Sequence, residues 1–375
     1  MIKNAIQADD GLHVKFVNST TDIIFPWHWL KDHGVDETSL DPTTLQRRVN
    51  TFEIEPDIKP LVVEFESARQ IVQIKWADEA ETVIPADLLM QVTGRMPRAD
   101  KLLPNQQRVL WKFPDNLTDL PSVAYQAVME SEDGLFAWLS NIQVYGFSLV
   151  QDVPSTQSAT EALARRVGNI EETIFGGLWM LSAELNEHDD SAYSNSYLEP
   201  HTDATYYRDA AGLQMFNCFQ FDGEGGESIL VDSFAIAEQI KQDDPQAYQT
   251  LTEVIVPGRY MEPGVHLFAE RAPFRLNNDG ELEQVSFNNY DRAPFILPDV
   301  EMQRFYHAYG LFHEHAIDER NWLKIPLRPG MTLIFDNWRT MHGRMAYHGK
   351  RVFCGCYHNR TEFESKLRVL QAQRQ

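Results

Sequence analysis

The alternation of apolar and polar positions predicts a small β-rich region at the N-terminus. Three short runs combine β-branched or aromatic residues with period-two alternation, and Pro and Asp clusters separate them. They are LHVKF (12–16), LVVEF (61–65) and IVQIKW (71–76). Residues 1–95 are therefore predicted to form one small domain. The segment 93–108, rich in charge, Gly and Pro, is predicted to be a linker.

Helical spacing follows the linker. Apolar residues in 121–143 and 156–170 recur every three to four positions, which predicts two helices. Gly168 stands where the second pattern stops and can act as its C-cap. Two further helices are predicted over 232–251 and 299–317.

From about residue 210, short strands dominate the pattern. They are predicted at 212–221, 227–233, 285–290, 331–337 and 351–359. Many short strands with helical excursions indicate a double-sheet β-roll with helices packed outside. The fold prediction is mainly β with flanking helices: a double-stranded β-helix (jelly-roll) catalytic domain over 108–375, beside the small N-terminal domain.

Composition narrows the function classes. A net charge of −22 argues against nucleic acid as a partner, because phosphate backbones are bound through a surplus of Lys and Arg. No run approaches the roughly 18 apolar residues of a membrane span, and the N-terminus shows no targeting pattern. The sequence therefore predicts a cytoplasmic protein without a membrane partner.

The three cysteines, Cys218, Cys354 and Cys356, are too few for a disulfide framework. Cys354 and Cys356 share one face of a predicted strand, and we interpret them as small buried apolar residues. A zinc or redox role for this pair is the alternative.

The stretch LEPHTDATYY (198–207) carries the candidate chemistry. If it is a strand, His201 and Asp203 project on one face. With the distant His342 they would give two imidazoles and one carboxylate, the ligand set of non-haem Fe(II) oxygenases. Taken by itself, a His-x-Asp pair also fits a histidine hydrogen-bonded to a neighbouring acid.

Two more residues fit a dicarboxylic co-substrate. Arg351 follows His342 by nine residues, and we predict it on the next strand of a hairpin that turns at YHGK (347–350). Its guanidinium could hold a far carboxylate bidentately. Ser228 follows the Gly-rich GEGG turn and could bond the same carboxylate. Singly, these residues also fit a surface arginine and a turn serine.

Several motifs in order resemble the trimethyllysine dioxygenase/γ-butyrobetaine dioxygenase family of TauD-like, carnitine-biosynthesis oxygenases. They are TIFGGLW, HTDATYY, GLQMFNC, GGESILVD, FNNYDRA, FDNWRTMHGR and CGCY. The resemblance implies that His201, Asp203 and His342 are the catalytic iron ligands and that Arg351, assisted by Ser228, anchors 2-oxoglutarate. It also implies O2 as co-substrate and a homodimer.

The resemblance further implies hydroxylation of a small quaternary-ammonium substrate. We predict Nε-trimethyllysine, hydroxylated at carbon 3; γ-butyrobetaine or another quaternary-ammonium acid is the alternative. An aromatic cage for the cation is expected from Phe175, Trp179, Tyr193 and Tyr357, although aromatics at such spacing also build cores. Phe175 stands where the family usually has Tyr.

The far end of the substrate is expected to meet polar residues. Asp190 matches the position expected to pair with the substrate ammonium, where γ-butyrobetaine enzymes resemble one another in having Asn. Asp189 is close enough to confuse this register, and an exposed acidic loop is the alternative. Asn288 is expected to bond the substrate carboxylate. Asn289 and Arg292 are its neighbours, without an assigned role.

The N-terminal region also resembles the family in FPWHWLKDH and LQRRV. Relatives often bind zinc there through several Cys and a His, but no Cys precedes residue 218. The zinc ligands are therefore lost and no structural zinc is expected. Two other classes remain: a non-catalytic β-roll binding protein and a cupin-like metal-binding module.

Overall fold

The computed structural model describes residues 1–96, 108–112, 119–182 and 194–374. The chain divides into two compact units, Met1–Pro104 and Asn105–Gln375. Most of the predicted linker lies outside the described residues. No helix in the described ranges is long and apolar enough to cross a bilayer.

Within its described residues, 1–96, the first unit contains two three-stranded antiparallel sheets, two short α-helices and a 3₁₀ helix at Thr51–Glu53. Its strands are β1 (Ile2–Ala8), β2 (Gly11–Phe16), β3 (Ile23–Phe25), β4 (Pro60–Glu66), β5 (Ile71–Trp76) and β6 (Glu81–Pro85); its helices are α1 (Trp27–Asp32) and α2 (Ala86–Val92). Alternation places Val72, Ile74 and Trp76 of β5 in one core. The three strands predicted here are confirmed.

The second unit contains fourteen strands and seven helices among its described residues. The strands are β7 (Ser122–Ala124), β8 (Phe147–Gln151), β9 (Trp179–Leu181), β10 (Leu198–His201), β11 (Leu213–Gly225), β12 (Ser228–Asp232), β13 (Val256–Glu262), β14 (Val265–Arg271), β15 (Phe274–Leu276), β16 (Leu282–Val285), β17 (Leu323–Ile325), β18 (Met331–Asp336), β19 (Thr340–Arg344) and β20 (Tyr347–His358). The helices are α3 (Tyr125–Glu130), α4 (Glu132–Tyr145), α5 (Gln157–Val167), α6 (Ser233–Asp243), α7 (Pro245–Glu253), α8 (Asp299–Ile317) and α9 (Arg360–Ala372).

Two main sheets organise this unit. One has the order β7-β8-β18-β11-β20-β9 and the other β10-β19-β12-β17, with two separate hairpins, β13-β14 and β15-β16. Phe335 and Phe353 of the six-stranded sheet share a buried cluster with Leu230 and Ile325 of the four-stranded sheet. The two sheets therefore pack on each other, and the prediction of a mainly β protein with helices is confirmed.

Two predicted helices are each interrupted. In 121–143 the chain first forms β7, and Ser131 then separates α3 from α4 because its hydroxyl accepts from the Gly134 N–H at 2.9 Å. In 232–251 Asp244 ends α6 and caps α7. Pro245 takes the first position of α7, where its missing N–H costs nothing. The helices over 156–170 and 299–317 form as predicted.

Two strand predictions are wrong in detail. Only Val285 of the predicted 285–290 strand is in a strand, since β16 ends there. The chain after His342 turns at 345–346, before YHGK, and β19 and β20 do not form a hairpin, because they belong to different sheets. Arg351 therefore lies in the six-stranded sheet, paired with Phe221 of β11.

Candidate metal centre and active site

Backbone register brings the two candidate histidines together. β10 and β19 run antiparallel, and His201 lies directly opposite His342. Their ring centroids are 4.4 Å apart, and both side chains are buried. Residues separated by more than a hundred positions in sequence thus meet as a cross-strand pair.

Asp203 lies beside the two histidines, but strand pairing does not position it. β10 ends at His201, so the predicted i, i+2 strand geometry does not place this carboxylate. Instead the Asp203 N–H donates to Asn337 Oδ1 at 2.8 Å, and Asn337 Nδ2 donates to the Asp203 carbonyl at 3.1 Å. The backbone turns sharply at Ala204, which has φ +63°. The role of buried Asn337, in the sequence FDNW, was not predicted. The only sign of it in the sequence is a polar residue placed after a largely apolar strand.

The three side chains converge on one point. His201 Nε2 lies 3.2 Å from Asp203 Oδ1, and His342 Nε2 lies 3.7 Å from Asp203 Oδ2. One ligand atom from each residue lies within 4.8 Å of the others. Within the described ranges, this is the one group of three or more His, Cys, Asp and Glu side chains with such spacing.

The protonation pattern suits a cation at this point. His201 Nδ1 donates to the Glu199 carbonyl at 2.7 Å, so Nε2 turns its lone pair toward the Asp203 carboxylate. Two lone pairs facing each other are stable only with a proton or a metal ion between them. Asp203 overcomes the effect of burial and raises the pKa of His201. Burial lowers the pKa of His342 to about 3, which leaves a neutral imidazole that can ligate.

Asp203 is held ionised. Burial works against its charge, but His342, His201 and the Tyr357 hydroxyl together hold the pKa of this carboxyl below its usual range. A neutral imidazole, a second imidazole and a carboxylate are the donor set that Fe(II) uses with open positions. The residues present therefore fit a ferrous ion.

Tyr357 contacts the metal-binding carboxylate directly. Its hydroxyl donates to Asp203 Oδ2 at 2.9 Å, and Gln214 Nε2 donates to that hydroxyl at 3.3 Å. The sequence predicts Tyr357 only as part of an aromatic wall, and this contact adds a second role. It is paired in the sheet with Gln214 of β11, so β-sheet register fixes both side chains behind Asp203.

Arg351 is a buried cation in the same cavity. Its guanidinium lies over the Phe353 ring, 4.0 Å from the centroid, and burial lowers its pKa to about 10. Nε is buried without a hydrogen-bond partner, and no carboxylate among the described residues pairs with it. An unpaired buried charge is costly, so this position fits the carboxylate of a bound anion such as 2-oxoglutarate.

The Gly-rich turn lies against this arginine. Gly226 has φ +70°, and a Cβ there would come 3.4 Å from Arg351 Cδ and 3.1 Å from Tyr347 Cβ. Ser228 begins β12, is buried and lines the cavity with Arg351. Arg344 lines it too, held by the carbonyls of Ser194 and Ser196 at 2.6 and 3.0 Å; it was not predicted.

Aromatic side chains form another part of the wall. Trp179 is buried, with ring centroids 5.5 Å from Tyr357 and 5.4 Å from Phe216. Its ring lies over Gly355 so closely that a Cβ there would be 2.1 Å from it. Phe175 is half-buried in the same cavity. Tyr206, also in this wall, was missed because TYY looked like ordinary strand sequence.

Asn288 is buried and lines the cavity as well. Its Nδ2 donates to Asp291 Oδ2 at 2.9 Å, and its Oδ1 accepts from the Tyr290 N–H at 3.0 Å. Asp291, another cavity residue that was not predicted, also accepts from Thr205 Oγ1 at 2.9 Å. Arg292 and Asn289 instead bond each other at 3.2 Å, and neither is among the lining residues.

The remaining predicted positions divide into two groups. Asp189, Asp190 and Tyr193 lie outside the described residues. Cys218, Cys354 and Cys356 are all buried and free, and burial raises the pKa of each thiol.

The metal-binding cluster, Arg351, Ser228, Asn288 and the aromatic wall line one open cavity of about 990 Å³, the solvent at its mouth included. A two-histidine, one-carboxylate metal site beside a buried arginine, on a two-sheet β domain, defines the class of non-haem iron oxygenases.

Comparison with known proteins agrees. The family described as taurine catabolism dioxygenase TauD, TfdA family matches residues 115–357. The mitochondrial trimethyllysine dioxygenase of Rattus norvegicus is 32% identical over 377 residues, covering 97% of this chain and 86% of that protein. The chain therefore belongs to the TauD/TfdA family of dioxygenases. The predicted class, a 2-oxoglutarate-dependent non-haem iron dioxygenase, and the family resemblance are confirmed.

Two further relatives extend the comparison. Gamma-butyrobetaine dioxygenase of Pseudomonas sp. (strain AK-1) is 29% identical over 354 residues, covering 93% of this chain and 91% of that protein. The crystal structure of AAD-2 in complex with Mn(II) and N-oxalylglycine aligns with a TM-score of 0.51 at 14% identity. The alignment covers 67% of this chain and 96% of that one, and it supports the fold alone.

Proposed function

We propose that this protein hydroxylates a small trimethylammonium amino acid, Nε-trimethyllysine at carbon 3, using Fe(II) and 2-oxoglutarate. The observation that carries the proposal is the cavity itself. It combines a His–Asp–His cluster, a buried Arg351 that pairs with no carboxylate in the described part of the chain, and an aromatic wall around Trp179. The relatives named trimethyllysine dioxygenase support the choice of substrate.

His201, Asp203 and His342 would hold the iron, and Arg351 with Ser228 would hold the far carboxylate of 2-oxoglutarate. Bound Fe(II) supplies the oxidation chemistry, in which O2 decarboxylates the keto acid and hydroxylates the substrate. The chain contributes placement: a guanidinium fixes a carboxylate bidentately and so orients the keto acid toward the metal. The buried walls exclude water from the reacting groups.

The aromatic wall would hold the cation. A trimethylammonium group donates no hydrogen bond, so it is held through aromatic faces, each contributing about 0.5–2 kcal/mol. Phe175, Trp179 and Tyr357 line the cavity together, which supports this assignment. Tyr193 is proposed as a further wall and Asp190 as an acid for the substrate ammonium, on the family resemblance alone.

The architecture admits three related proposals. The two packed sheets are proposed to be a double-stranded β-helix, because both contribute to one site. His201, His342 and Ser228 lie on β10, β19 and β12 of one sheet, and Arg351 lies on β20 of the other. Residues 1–95 and 108–375 are proposed as the two functional domains. Cytoplasmic location, a homodimer and the lack of a structural zinc stay predictions.

Succinate formation tests the proposed function. The purified protein, supplied with Fe(II), 2-oxoglutarate and O2, is assayed with trimethyllysine or with γ-butyrobetaine, and the product is located by NMR. We expect turnover with trimethyllysine and a hydroxyl group on carbon 3. Turnover of γ-butyrobetaine alone would refute the proposal and favour the function named for the Pseudomonas relative. No turnover with either would favour a binding protein.

A further inference from the structure

We propose that Tyr347 is a positioning residue for the co-substrate: its ring holds the Arg351 guanidinium in the place where that group meets the far carboxylate of 2-oxoglutarate. The inference rests on the proposed function, because it takes Arg351 as the anchor of the keto acid. Tyr347 is buried but is not among the residues that line the cavity, so it acts through the arginine.

Two aromatic rings contact the Arg351 guanidinium. Its carbon atom Cζ lies 4.0 Å from the centroid of the Phe353 ring and 5.6 Å from that of the Tyr347 ring. A cation within about 6 Å of a ring centroid is attracted by the negative face of the ring. All three side chains are buried, where water weakens such an attraction least.

The Tyr347 ring also contacts a second buried cation. Cζ of Arg344 lies 5.2 Å from the same ring centroid. The two guanidinium charges repel each other: burial first, and then the charge of Arg344, lower the pKa of Arg351 to about 10. An aromatic face that attracts both groups offsets part of this repulsion, which an aliphatic side chain of similar size would not do.

The backbone holds Tyr347 in this place. Its N–H donates to the Asn195 carbonyl at 3.1 Å, and it pairs with Gly225 at the start of β20. The next residue, Gly226, has φ +70°, and a Cβ there would lie only 3.1 Å from Tyr347 Cβ. The Gly-rich turn before Ser228 therefore leaves room for the tyrosine beside Arg351.

A guanidinium that is already held binds a carboxylate more tightly. A long side chain that must be immobilised when the keto acid arrives costs affinity, and one that is fixed beforehand does not. Among the described residues Arg351 Nε finds no hydrogen-bond partner, so the aromatic contacts carry more of the task of orienting this group. Removing the Tyr347 ring should therefore weaken the recognition of the far carboxylate by about 5- to 30-fold.

The test compares two keto acids that differ only at the far end. 2-Oxoglutarate and 2-oxopentanoate have the same chain length, and a methyl group replaces the far carboxylate in the second. Each is titrated by calorimetry into protein loaded with Mn(II), and the ratio of the two dissociation constants measures the recognition of that carboxylate. The wild type is expected to prefer 2-oxoglutarate at least about 100-fold.

Three replacements of Tyr347 separate the ring from the fold. Tyr347→Leu should lower the preference about 5- to 30-fold and leave the affinity for 2-oxopentanoate unchanged. Tyr347→Phe keeps the ring and should keep the wild-type ratio. Replacing Tyr347 with 3,4,5-trifluorophenylalanine keeps the shape of phenylalanine but weakens the negative face of the ring, so the preference should fall below that of Tyr347→Phe. The fluorinated variant decides the question even if the leucine variant does not fold.

Tyr309→Leu is the matched control. Tyr309 is also buried, and Cζ of Arg292 lies 5.8 Å from its ring centroid, but neither residue lines the cavity. The same substitution there should leave the ratio unchanged. The inference is overturned if Tyr347→Leu weakens both keto acids equally or keeps the wild-type ratio, if the fluorinated ring behaves as Tyr347→Phe does, or if Tyr309→Leu lowers the ratio as much.

The two proposals fail differently. A wild type that prefers 2-oxoglutarate, and keeps this preference without the Tyr347 ring, would remove only this inference. A wild type that binds the two keto acids equally would refute the assignment of Arg351 in the proposed function, and this inference with it.

Discussion

Removing the Tyr357 hydroxyl should weaken metal binding. Tyr357→Phe keeps the aromatic ring beside Trp179 but deletes the O–H that donates to Asp203 Oδ2 at 2.9 Å. It also removes the acceptor of the Gln214 amide, 3.3 Å away. The carboxylate would then lose the contact that holds its second oxygen while the first faces His201.

The size of the effect follows from the type of bond. A hydrogen bond to an ionised group contributes about 1.5–3 kcal/mol, and 1.4 kcal/mol corresponds to a tenfold change in affinity. The dissociation constant for a divalent metal should therefore rise about 10- to 100-fold. Partners of metal ligands show losses of this size when they are removed. Because Tyr357 is buried, water replaces the missing donor poorly, which favours the upper half of the range.

Mn(II) binding measures this without turnover. Free Mn(II) is quantified by electron paramagnetic resonance during titration of the metal-free protein, with and without 2-oxoglutarate. Tyr207→Phe is the matched control, because its hydroxyl accepts from the Ile174 N–H at 3.3 Å and does not contact Asp203. A change below about threefold for Tyr357→Phe, or an equal change in the control, would refute the reasoning.

Three other changes have separable expected results. Arg351→Met should raise the KM for 2-oxoglutarate at least about 100-fold, whereas Ser228→Ala should raise it about tenfold, because only the arginine carries a charge. Initial rates of succinate formation measure both KM values, and similar increases in the two variants would contradict the assignment. Asn337→Ala should lower the free energy of unfolding of the metal-free protein by about 2–4 kcal/mol, because three hydrogen bonds of the Asn337 side chain are lost. Urea titrations measure this free energy, and an unchanged value would contradict the role of those hydrogen bonds. Gly355→Ala should weaken trimethyllysine binding with little change in Mn(II) affinity, because the new methyl group would force the Trp179 ring away. Equal losses of affinity for trimethyllysine and for Mn(II) would contradict this prediction.

Residue pattern predicted the elements that bury one face. Buried and exposed positions alternate along most of β5, nearly every position of β18 is buried, and α8 has the bounds of its periodic segment. Pattern failed where a single polar residue redirects the chain. Asp244 and Pro245 split one apolar-periodic stretch into two helices, and nothing in the periodicity changes there.

Within the site, the residues that could be predicted are those whose chemistry is visible in the sequence. A His-x-Asp, a later His and an Arg after it are rare enough together to indicate a ligand set. Asn337 and Asp291 were missed for a common reason: each acts through a hydrogen bond to a residue 134 or 86 positions away. Only the folded register brings such partners together.

The metal ligands are held by two independent devices. Register between β10 and β19 pairs His201 with His342, and backbone hydrogen bonds between the strands define that pairing. Asp203 lies past the end of β10 and depends on the side chains of Asn337 and Tyr357. The carboxylate is therefore the ligand whose position is most sensitive to substitution. Substitutions of the residues that hold this carboxylate should lower metal affinity more than they disturb the fold. Tyr357 contacts both Asp203 and the aromatic wall, so it links the metal to the proposed cation site.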